Sequence, residues 1–337
     1  MKVFVFALVF FSYIPLALSM NLITELKYQG FDTEKIDFED EFLGRVTLKD
    51  EFREDYSFFL EYKFGEGADR IDAGQVKIMK KNLDFEIGRN RIGWGAGYNL
   101  NPTDIFNEVS AGSSYDPTYV KSGRDSIIVT KYAGEDSFQG IYAKKDNPEK
   151  GEDYGIKYRT SLSEYDIDAV YIHKGRRTTE WGEDEEKDDI IGGDVSTSIP
   201  GLDYGIWLEA AYYLRRDDLV YIAGIDNYFG EKYRVMVEYL YYGLGEDEKE
   251  SYDINRIFAG QPAGKSYLMP SVTYEYSEKT TLTGYCYVNT QDYSYLFGAT
   301  VSYLYSDHID INLMPFYAGG KKESEYGILG EGIGSIG

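Results

Sequence analysis

The chain has 337 residues, a formal net charge of -23, and 34 Tyr and 36 Gly against only 2 His and 1 Cys. The acidic charge excludes a general nucleic-acid-binding protein, which needs a basic face, and the scarcity of His and Cys excludes a metal site built from those ligands. The mean hydropathy of -0.43 excludes a helical membrane protein but not a membrane barrel, in which half of each strand faces water.

Residues 1–19 have the layout of a secretory signal peptide. A positive residue precedes an apolar run, and the small residues Ala17 and Ser19 form a cleavage site. Pro15 interrupts the run, which is shorter than the ~20 apolar residues that a spanning helix needs. The sequence therefore predicts an exported protein with a single domain over residues 20–337.

Apolar and polar residues alternate with a period of two along most of the domain, and this period indicates β-strands. In the segment 56–64, Phe58 and Leu60 share a face opposite Glu61, and in the segment 233–241 tyrosines and valines lie opposite Glu238. The predicted strands are, in chain order, 22–29, 36–50, 55–64, 70–79, 82–90, 125–132, 137–144, 153–160, 164–173, 190–199, 203–214, 218–226, 232–242, 266–276, 280–289, 293–305, 308–317 and 326–337.

Each of these strands needs a different environment on each face. A soluble β-sandwich or solenoid would bury the apolar faces in a dry core, whereas a membrane barrel would place lipid outside and water inside. Tyrosines near the strand ends, charges on the opposite faces and strand lengths near ten residues favour the barrel. The sequence predicts an all-β fold, an antiparallel transmembrane β-barrel of about 16 strands (roughly 14–18) in the cell outer membrane, with no convincing helix.

The segment 88–107, GRNRIGWGAGYNLNPTDIFN, interrupts this rhythm with glycines, arginines and a tryptophan. A nucleotide-binding interpretation would need a following helix and a βαβ unit, which the sequence lacks. A structural interpretation is a strand end followed by a capped turn at Pro102. The functional interpretation is that Arg89, Arg91 and Trp94 point into the barrel and that the chain folds inward after the fifth strand and narrows the pore, because an arginine facing lipid is costly.

This segment resembles a signature of bacterial outer-membrane β-barrels, including porin-like and alginate-export-like proteins. In that signature a strand ending in Gly-Arg-Gln-Arg precedes Trp-Gly-x-Gly and Asn-Pro-Thr-Asp; here Asn90 replaces the Gln. The resemblance covers roughly 25 residues and implies an outer-membrane channel, monomeric or trimeric, whose inward-folded segment shapes the pore. The matching residues, which are the candidate pore-constriction residues, are Arg89 and Arg91, Trp94, Gly95 and Gly97, and Asn101, Pro102, Thr103 and Asp104.

Two further patterns resemble ligand sites. The acidic residues 183–186 offer carboxylates to a hard cation, but their spacing is not that of a calcium loop, and a solvated external loop is the favoured interpretation. The segment 259–266, AGQPAGKS, has three residues between its glycines where a phosphate-binding P-loop has four. We therefore predict neither a metal nor a cofactor.

No pair of residues in the sequence suits nucleophilic catalysis. His173 and His308 are the only histidines, each at a predicted strand end, and the neighbours Ser306 and Asp307 precede His308 where successive side chains alternate between faces. Cys286 lies in line with apolar residues, so a packed or lipid-facing thiol is expected.

The functional prediction is a porin-like channel, not an enzyme, for passive diffusion of small hydrophilic solutes. Its predicted partners are membrane lipids and those solutes, with no nucleic acid, and the protein is either a monomer or a homo-oligomer. The acidic excess suggests a modest cation preference, which the arginines could reverse locally. The alternative is a non-conducting structural barrel, or a barrel for export or assembly of a surface polymer.

Overall fold

Antiparallel strands account for most of the chain. The computed structural model describes residues 21–29, 41–52, 55–65, 70–107, 121–144, 151–175, 177–178, 184–185, 187–199, 201–202, 204–258, 261–306 and 309–332. The strands are β1 (Asn21–Gln29), β2 (Glu41–Phe52), β3 (Tyr56–Gly65), β4 (Arg70–Lys80), β5 (Leu83–Asn90), β6 (Arg124–Ala133), β7 (Asp136–Ala143), β8 (Asp153–Leu162), β9 (Tyr165–Lys174), β10 (Arg177–Thr178), β11 (Asp184–Glu185), β12 (Asp188–Ile199), β13 (Tyr204–Tyr213), β14 (Asp218–Phe229), β15 (Tyr233–Tyr242), β16 (Ser266–Ser277), β17 (Thr280–Asn289), β18 (Tyr295–Ser306), β19 (Ile309–Leu313) and β20 (Phe316–Gly319).

Neighbours in the sheet follow chain order. Each strand from β1 to β9 pairs antiparallel with the next, β9 pairs with β12, and the series continues to β18. Because β19 and β20 both pair with the same edge of β18, the 18 strands of the sheet occupy seventeen positions within the described residues. The predicted antiparallel β-barrel of about 16 strands is confirmed. The small strands β10 and β11 form a separate hairpin between β9 and β12.

The two ends of the barrel differ in their connections. At the end that we call the short-turn end, tight turns such as 81–82 and 163–164 join the strands, and Lys81 and Ser163 adopt positive φ angles of 50° and 58° there. At the opposite end, the loop end, the connections are longer, as in 91–123. This uneven alternation is typical of outer-membrane barrels, whose long loops face the exterior.

The outward face of the barrel is apolar and exposed. In β18, Tyr295, Phe297 and Tyr303 are 39%, 51% and 40% exposed, whereas Leu296 between them points inward and is fully buried. The step from Tyr295 to Tyr303 spans about 26 Å at 3.3 Å per residue, close to the ~25 Å apolar band of membrane barrels. The alternative of a soluble β-sandwich is wrong, because a sandwich would bury these apolar faces against each other.

The chain after β5 folds into the barrel, as predicted. Main-chain and side-chain groups of this segment form hydrogen bonds with Gln139 on β7, Glu209 on β13, Glu238 on β15 and Tyr287 on β17. One short segment reaches such distant strands because the sheet curves around it. Its apolar residues form a buried cluster with inward side chains of the wall, including Ile92, Trp94, Phe106, Ile128, Ile172, Ile190, Ile222 and Leu240.

Two helices follow where the sequence predicted none. Helix α1 (Ile254–Phe258) lies in the β15–β16 connection, and α2 (Glu325–Gly332) replaces the predicted strand 326–337. Tyr326 and Leu329 lie three residues apart, which places them on one helical face, and both are buried in a second apolar cluster. This packing outweighs the poor helix propensity of the glycines in α2, which the alternating pattern could not show. Both helices of the described part of the chain are much shorter than a bilayer is thick.

Candidate functional site: the inward segment

The inward segment, residues 91–107, begins with Arg91. The Arg91 guanidinium forms a two-pronged ion pair with buried Glu61 on β3, with Nη1 to Oε2 at 3.1 Å and Nη2 bonded to Oε1. Its Nε also donates to the main-chain oxygen of Lys121 at 2.7 Å. Arg91 therefore ties both ends of the β5–β6 connection to the inner wall.

Arg89 lies apart from the other candidate residues. Its position on β5 follows exposed Phe85 and Ile87 on the outward face, whereas the next residue, Asn90, is buried and donates to Ser126 Oγ at 2.9 Å. Arg89 Nη1 lies 3.5 Å from Asp125 Oδ1, at the outward rim. Successive side chains of a strand alternate between faces, so the structure places Arg89 beside the loop-end rim and away from the interior.

Trp94 fills the interior next to β7 and β8. It is 2% exposed, its ring meets Phe106 edge to face at a centroid distance of 5.0 Å, and its Nε1 donates to Gln139 Oε1 at 2.8 Å. The Lys157 ammonium lies 5.4 Å from the centroid of the indole ring. The apolar faces of the indole are therefore packed against neighbouring groups, and its N–H has a hydrogen-bond acceptor.

A carboxylate of the opposite wall holds the middle of the segment. Glu209 on β13 is fully buried, and its Oε2 accepts the N–H groups of Ala96 and Gly97 at 2.9 and 3.2 Å. Its Oε1 accepts both the N–H and the hydroxyl of Thr103, at 2.7 and 2.8 Å. Four donors around one buried anion stabilise the fold of the segment, since charge-assisted hydrogen bonds are the stronger kind.

The two glycines of the Trp-Gly-x-Gly motif allow this close approach. Gly95 has a φ angle of +99°, and a Cβ atom there would lie 2.3 Å from Glu209 Oε2. A Cβ atom on Gly97 would lie 2.4 Å from the main-chain oxygen of Leu100. Both contacts are shorter than any real side chain tolerates, so the motif provides room for the Glu209 carboxylate and for the turn that follows.

A second wall carboxylate, Glu238 on β15, holds the next two residues. Its Oε1 accepts the N–H of Tyr98 at 2.8 Å and the indole N–H of Trp207 at 2.7 Å. Its Oε2 accepts the N–H of Asn99 at 3.0 Å and also the Asn99 side-chain amide. Like Glu209, Glu238 is fully buried, so the pair fixes the main chain from residue 96 to 103.

The Asn-Pro-Thr-Asp part of the signature forms the return turn. The N–H of Asp104 donates to the main-chain oxygen of Asn101 at 3.1 Å, and Pro102 between them is buried. Asp104 Oδ2 forms an ion pair with Lys121 Nζ at 2.6 Å. The turn therefore redirects the chain toward β6, and its charged residue is neutralised at the rim.

A cavity of about 200 Å³ remains beside the inward segment. The Arg234 guanidinium stacks 4.4 Å from the Tyr98 ring centroid, and its Nε donates to Asp226 Oδ2 at 2.7 Å. Hydroxyl and aromatic groups thus dominate the cavity, and its one cation is paired. Its lining residues are Tyr98, Asn99, Arg234, Met236, Ser271, Thr273, Thr283, Tyr285 and Tyr287.

The interior near β8 to β13 carries charges of both signs. Asp168 binds Arg159 at 2.7 Å and Lys157 at 3.5 Å. Asp194 lies directly between Asp168 and Glu209 in the strand register. One of its carboxylate oxygens has no hydrogen-bond partner among the described residues. This mixture of positive and negative side chains does not predict a preference for cations or for anions.

The remaining sequence candidates lie away from this site. His173 stacks on Tyr154 at a centroid distance of 4.6 Å and binds Asp189 at 2.7 Å through Nδ1, near the loop end of the strands. His308 and two of the four acidic residues 183–186 lie outside the described residues. The described part of the P-loop-like segment leads into β16, a strand. The described residues contain no cluster of three or more His, Cys, Asp or Glu side chains suited to a metal ion.

The sequence did not reveal the wall residues that hold the segment. Glu209 and Glu238 each stand alone among apolar and aromatic neighbours in their strands, in WLEAAYY and VMVEYLYY. Asn107 was also missed; its side chain accepts the N–H of Ile92 at 3.0 Å and closes the base of the segment. An isolated acidic residue on the inward face of an apolar strand was the signal available for the two glutamates.

Solved outer-membrane β-barrels share this fold. Wzi from Escherichia coli superposes with a TM-score of 0.58 at 11% identity, over 94% of this chain and 83% of Wzi. OpdQ from Pseudomonas aeruginosa gives 0.58 at 8% identity over 90% and 91% of the two chains, and a mutant porin from Rh. blastica gives 0.51 at 12% identity over 89% and 100%. No protein-family model and no curated protein matches the sequence. These similarities establish the fold and assign no family.

Proposed function

We propose that the protein is a porin-like channel of the outer membrane, through which small hydrophilic solutes diffuse passively. The exposed apolar outward face supports a membrane location, because such a surface is stable only when lipid or another apolar surface covers it. Tyrosines at both ends of β18 match the boundary between lipid and water. The orientation follows from the long connections, which we place outside the cell.

The observation that carries the channel proposal is the composition of the open part of the interior. The inward faces of β15, β16 and β17 present Arg234, Ser271, Thr273, Thr283 and Tyr285 to the cavity. Hydroxyl groups such as these replace the hydration of a polar solute during passage. The inward segment, fixed by two buried carboxylates, acts as the constriction that sets the size limit.

A second candidate function is binding or assembly of a surface polymer. The apolar packing of Ile92, Trp94 and Phe106 against the wall favours it, because it closes much of the interior at the loop end. The similar fold of Wzi, an outer-membrane protein involved in capsule assembly and a carbohydrate-binding β-barrel, adds to it. The tyrosines and hydroxyls of the cavity also suit a sugar ring.

Planar-bilayer recordings of the purified, reconstituted protein test the channel proposal. We expect steady conductance in the wild-type protein and a higher conductance in Arg91→Ala, because that change removes the guanidinium that ties the constriction to Glu61. Arg89→Ala is the matched control, since Arg89 lies at the outward rim, and it should leave conductance near the wild-type level. A salt gradient across the bilayer measures ion preference in the same experiment.

Failure of the wild-type protein to conduct would overturn the channel proposal. Retention of the same protein on an immobilised capsular or other surface polysaccharide would then support the second candidate. Crosslinking in native membranes separates the monomer from the homo-oligomer, which stays a prediction, as does the lack of enzymatic activity.

A further inference from the structure

The cavity beside the inward segment is lined by hydroxyl groups that the sheet holds in register. Thr273 on β16 pairs with Thr283 on β17, and Ser271 pairs with Tyr285 two residues further along the same strands. Neighbouring strands are about 4.8 Å apart, and alternate residues of one strand are about 6.7 Å apart. The inner wall therefore presents four hydroxyl groups in a patch about as wide as a sugar ring.

These hydroxyl groups keep hydrogen-bonding capacity for a ligand. The Oγ1 atoms of Thr273 and Thr283 lie 3.2 Å apart and share one hydrogen bond. A hydroxyl has one donor and two acceptor sites, so the pair still offers a donor and several lone pairs. Ser271, Thr273 and Thr283 are half-buried, so the cavity shields hydrogen bonds to them from bulk water.

An aromatic ring forms another side of the cavity. Tyr98 belongs to the inward segment, its N–H is held by Glu238, and the residue is 57% exposed. The Trp207 ring meets the Tyr98 ring edge to face at a centroid distance of 4.9 Å. The open part of the Tyr98 ring can pack against the C–H face of a sugar ring, while the hydroxyl groups of the wall bind its polar edge.

The single charged residue among the described lining residues is already neutralised. Arg234 Nε donates to Asp226 Oδ2 at 2.7 Å, and Arg234 Nη2 lies 2.5 Å from the same oxygen. Asp226 is 9% exposed, and its Oδ1 accepts the N–H of Gly205 at 3.1 Å. An anion beside Arg234 would also meet the charge of Asp226. An ionic ligand would therefore lose hydration without gaining an unpaired counter-charge.

We infer that this cavity is a binding site for a neutral polyhydroxylated ligand, one ring of a sugar. Its volume of about 200 Å³ is severalfold the ~30 Å³ share of one water molecule, so a ligand of that size fits. Asp226 sets the preference for neutral ligands, because its carboxylate cancels the positive charge that would otherwise attract acidic sugars. The inference rests on the proposed function, since a site on the inner wall meets solutes only when they enter the barrel.

Ligand titrations of the detergent-solubilised protein, followed by saturation-transfer NMR, test this inference. The probes are glucose and glucuronate, which share one ring and differ by a carboxylate group. We expect saturable binding of glucose to the wild-type protein and at least about tenfold weaker binding of glucuronate.

Thr283→Val tests the place of the site, because it removes one hydroxyl and keeps the shape of the side chain. It should weaken glucose binding about two- to tenfold, as expected for loss of one neutral hydrogen bond. Thr197→Val is the matched control, since Thr197 lies on β12 and is not among the lining residues, and it should leave binding unchanged.

Asp226→Asn tests the origin of the preference. The amide keeps the shape of the side chain and removes its charge, which leaves Arg234 as an unneutralised cation. We expect the affinity for glucuronate relative to glucose to rise at least about tenfold, since hydrogen bonds to a charged group are the stronger ones. Addition of Arg234→Gln removes the cation again and should return the ratio toward its wild-type value.

Equal binding of the two sugars by the wild-type protein, no saturable binding of glucose, or unchanged glucose binding in Thr283→Val would overturn the inference. These measurements decide it even if Asp226→Asn does not fold. The titrations require no conduction. A conducting protein that binds neither sugar contradicts only this inference, whereas a protein that binds glucose without conducting contradicts only the channel proposal.

Discussion

The inward segment and helix α2 both lie inside the barrel, but the anchoring carboxyl groups come from opposite partners. For the inward segment the wall supplies the carboxylates, Glu209 and Glu238, and the segment supplies mainly main-chain N–H groups. For α2 the helix supplies the carboxylate, Glu325, and the barrel supplies the donors. The first arrangement fixes the path of the main chain over several residues. The second fixes the first turn of the helix, through the Glu325 side chain and through the N–H groups of Glu325 and Tyr326, which donate to Asp292 and Ser294.

This difference affects how firmly the main chain of each element is held. Anchoring through successive N–H groups holds every residue from 96 to 99 in place, so the segment cannot shift without breaking several charge-assisted hydrogen bonds at once. The main chain of the inward segment is therefore held at more points than that of α2, whose described hydrogen bonds to the barrel are confined to its first turn.

The largest effect is expected for Glu209→Leu, which tests whether the wall carboxylate fixes the segment. The change leaves four donors without an acceptor: the N–H groups of Ala96 and Gly97, which are partly buried, and the buried N–H and hydroxyl of Thr103. Unsatisfied buried groups cost about 1–3 kcal/mol each, so we expect the free energy of unfolding to fall by more than about 3 kcal/mol. Urea denaturation in detergent micelles measures it.

Glu135→Leu is the control for this change, because Glu135 is exposed in a turn at the short-turn end. It should shift the free energy of unfolding by less than about 0.5 kcal/mol. Equal stability of the Glu209→Leu and Glu135→Leu proteins would show that the carboxylate does not anchor the segment.

An intermediate loss in the free energy of unfolding is expected for Arg91→Ala. This variant tests whether the two arginines of the signature contribute differently to stability. Arg91 pairs with buried Glu61, and loss of one partner of a buried pair costs about 3–5 kcal/mol. Since the Arg91 side chain is 25% exposed, we expect a loss at or just below the bottom of that range, about 2–3 kcal/mol. Thermal unfolding followed by circular dichroism measures the loss.

The matched variant Arg89→Ala should cost at most about 1 kcal/mol, because its ion pair has one exposed partner and the Arg89 Nε has no hydrogen-bond partner among the described residues. Its partner Asp125 is 58% exposed at the rim, with the closest contact at 3.5 Å. If Arg89→Ala proved the more damaging of the two, the assignment of Arg89 to the outward face would be wrong.

The smallest effect is expected at the junction of the two inward elements. Tyr287 contacts both apolar clusters, and its hydroxyl donates to Asn99 Oδ1 at 2.9 Å. Removal of this hydrogen bond in Tyr287→Phe should cost about 1 kcal/mol, measured as a shift of the urea midpoint. Tyr293→Phe, at a tyrosine that is 80% exposed, is the control and should leave the midpoint unchanged. A larger loss would show that the two elements are coupled.

The fold and the point where the chain turns inward could be predicted from sequence, because both depend on local patterns. A period of two identifies strands, and the run from Gly88 to Asp104 marks where the chain leaves the sheet. The face of Arg89 could not be assigned in the same way, since one residue of uncertainty in a strand boundary exchanges the two faces. The anchors Glu209 and Glu238 were missed because they belong to strands far away in the chain.

Helix α2 was missed for a different reason. Its sequence, EYGILGEG, places apolar residues beside glycines without a clear helical period, and its three glycines disfavour a helix. The helix exists because Tyr326 and Leu329 find a buried surface on β18 and β20. A pattern within eight residues cannot report a surface that is assembled by the rest of the barrel.

The positions of Glu209 and Glu238 in the sequence also determine when the inward segment can fold. Ala96 and Tyr98 are separated by 113 and 140 residues from the glutamates that receive their hydrogen bonds. Closure of such long stretches of chain is slow, because their conformational freedom must be lost before the contacts form. The inward segment therefore takes its final form only after β13 and β15 have joined the sheet, which makes its ordering a late step of folding even though it belongs to the first third of the protein.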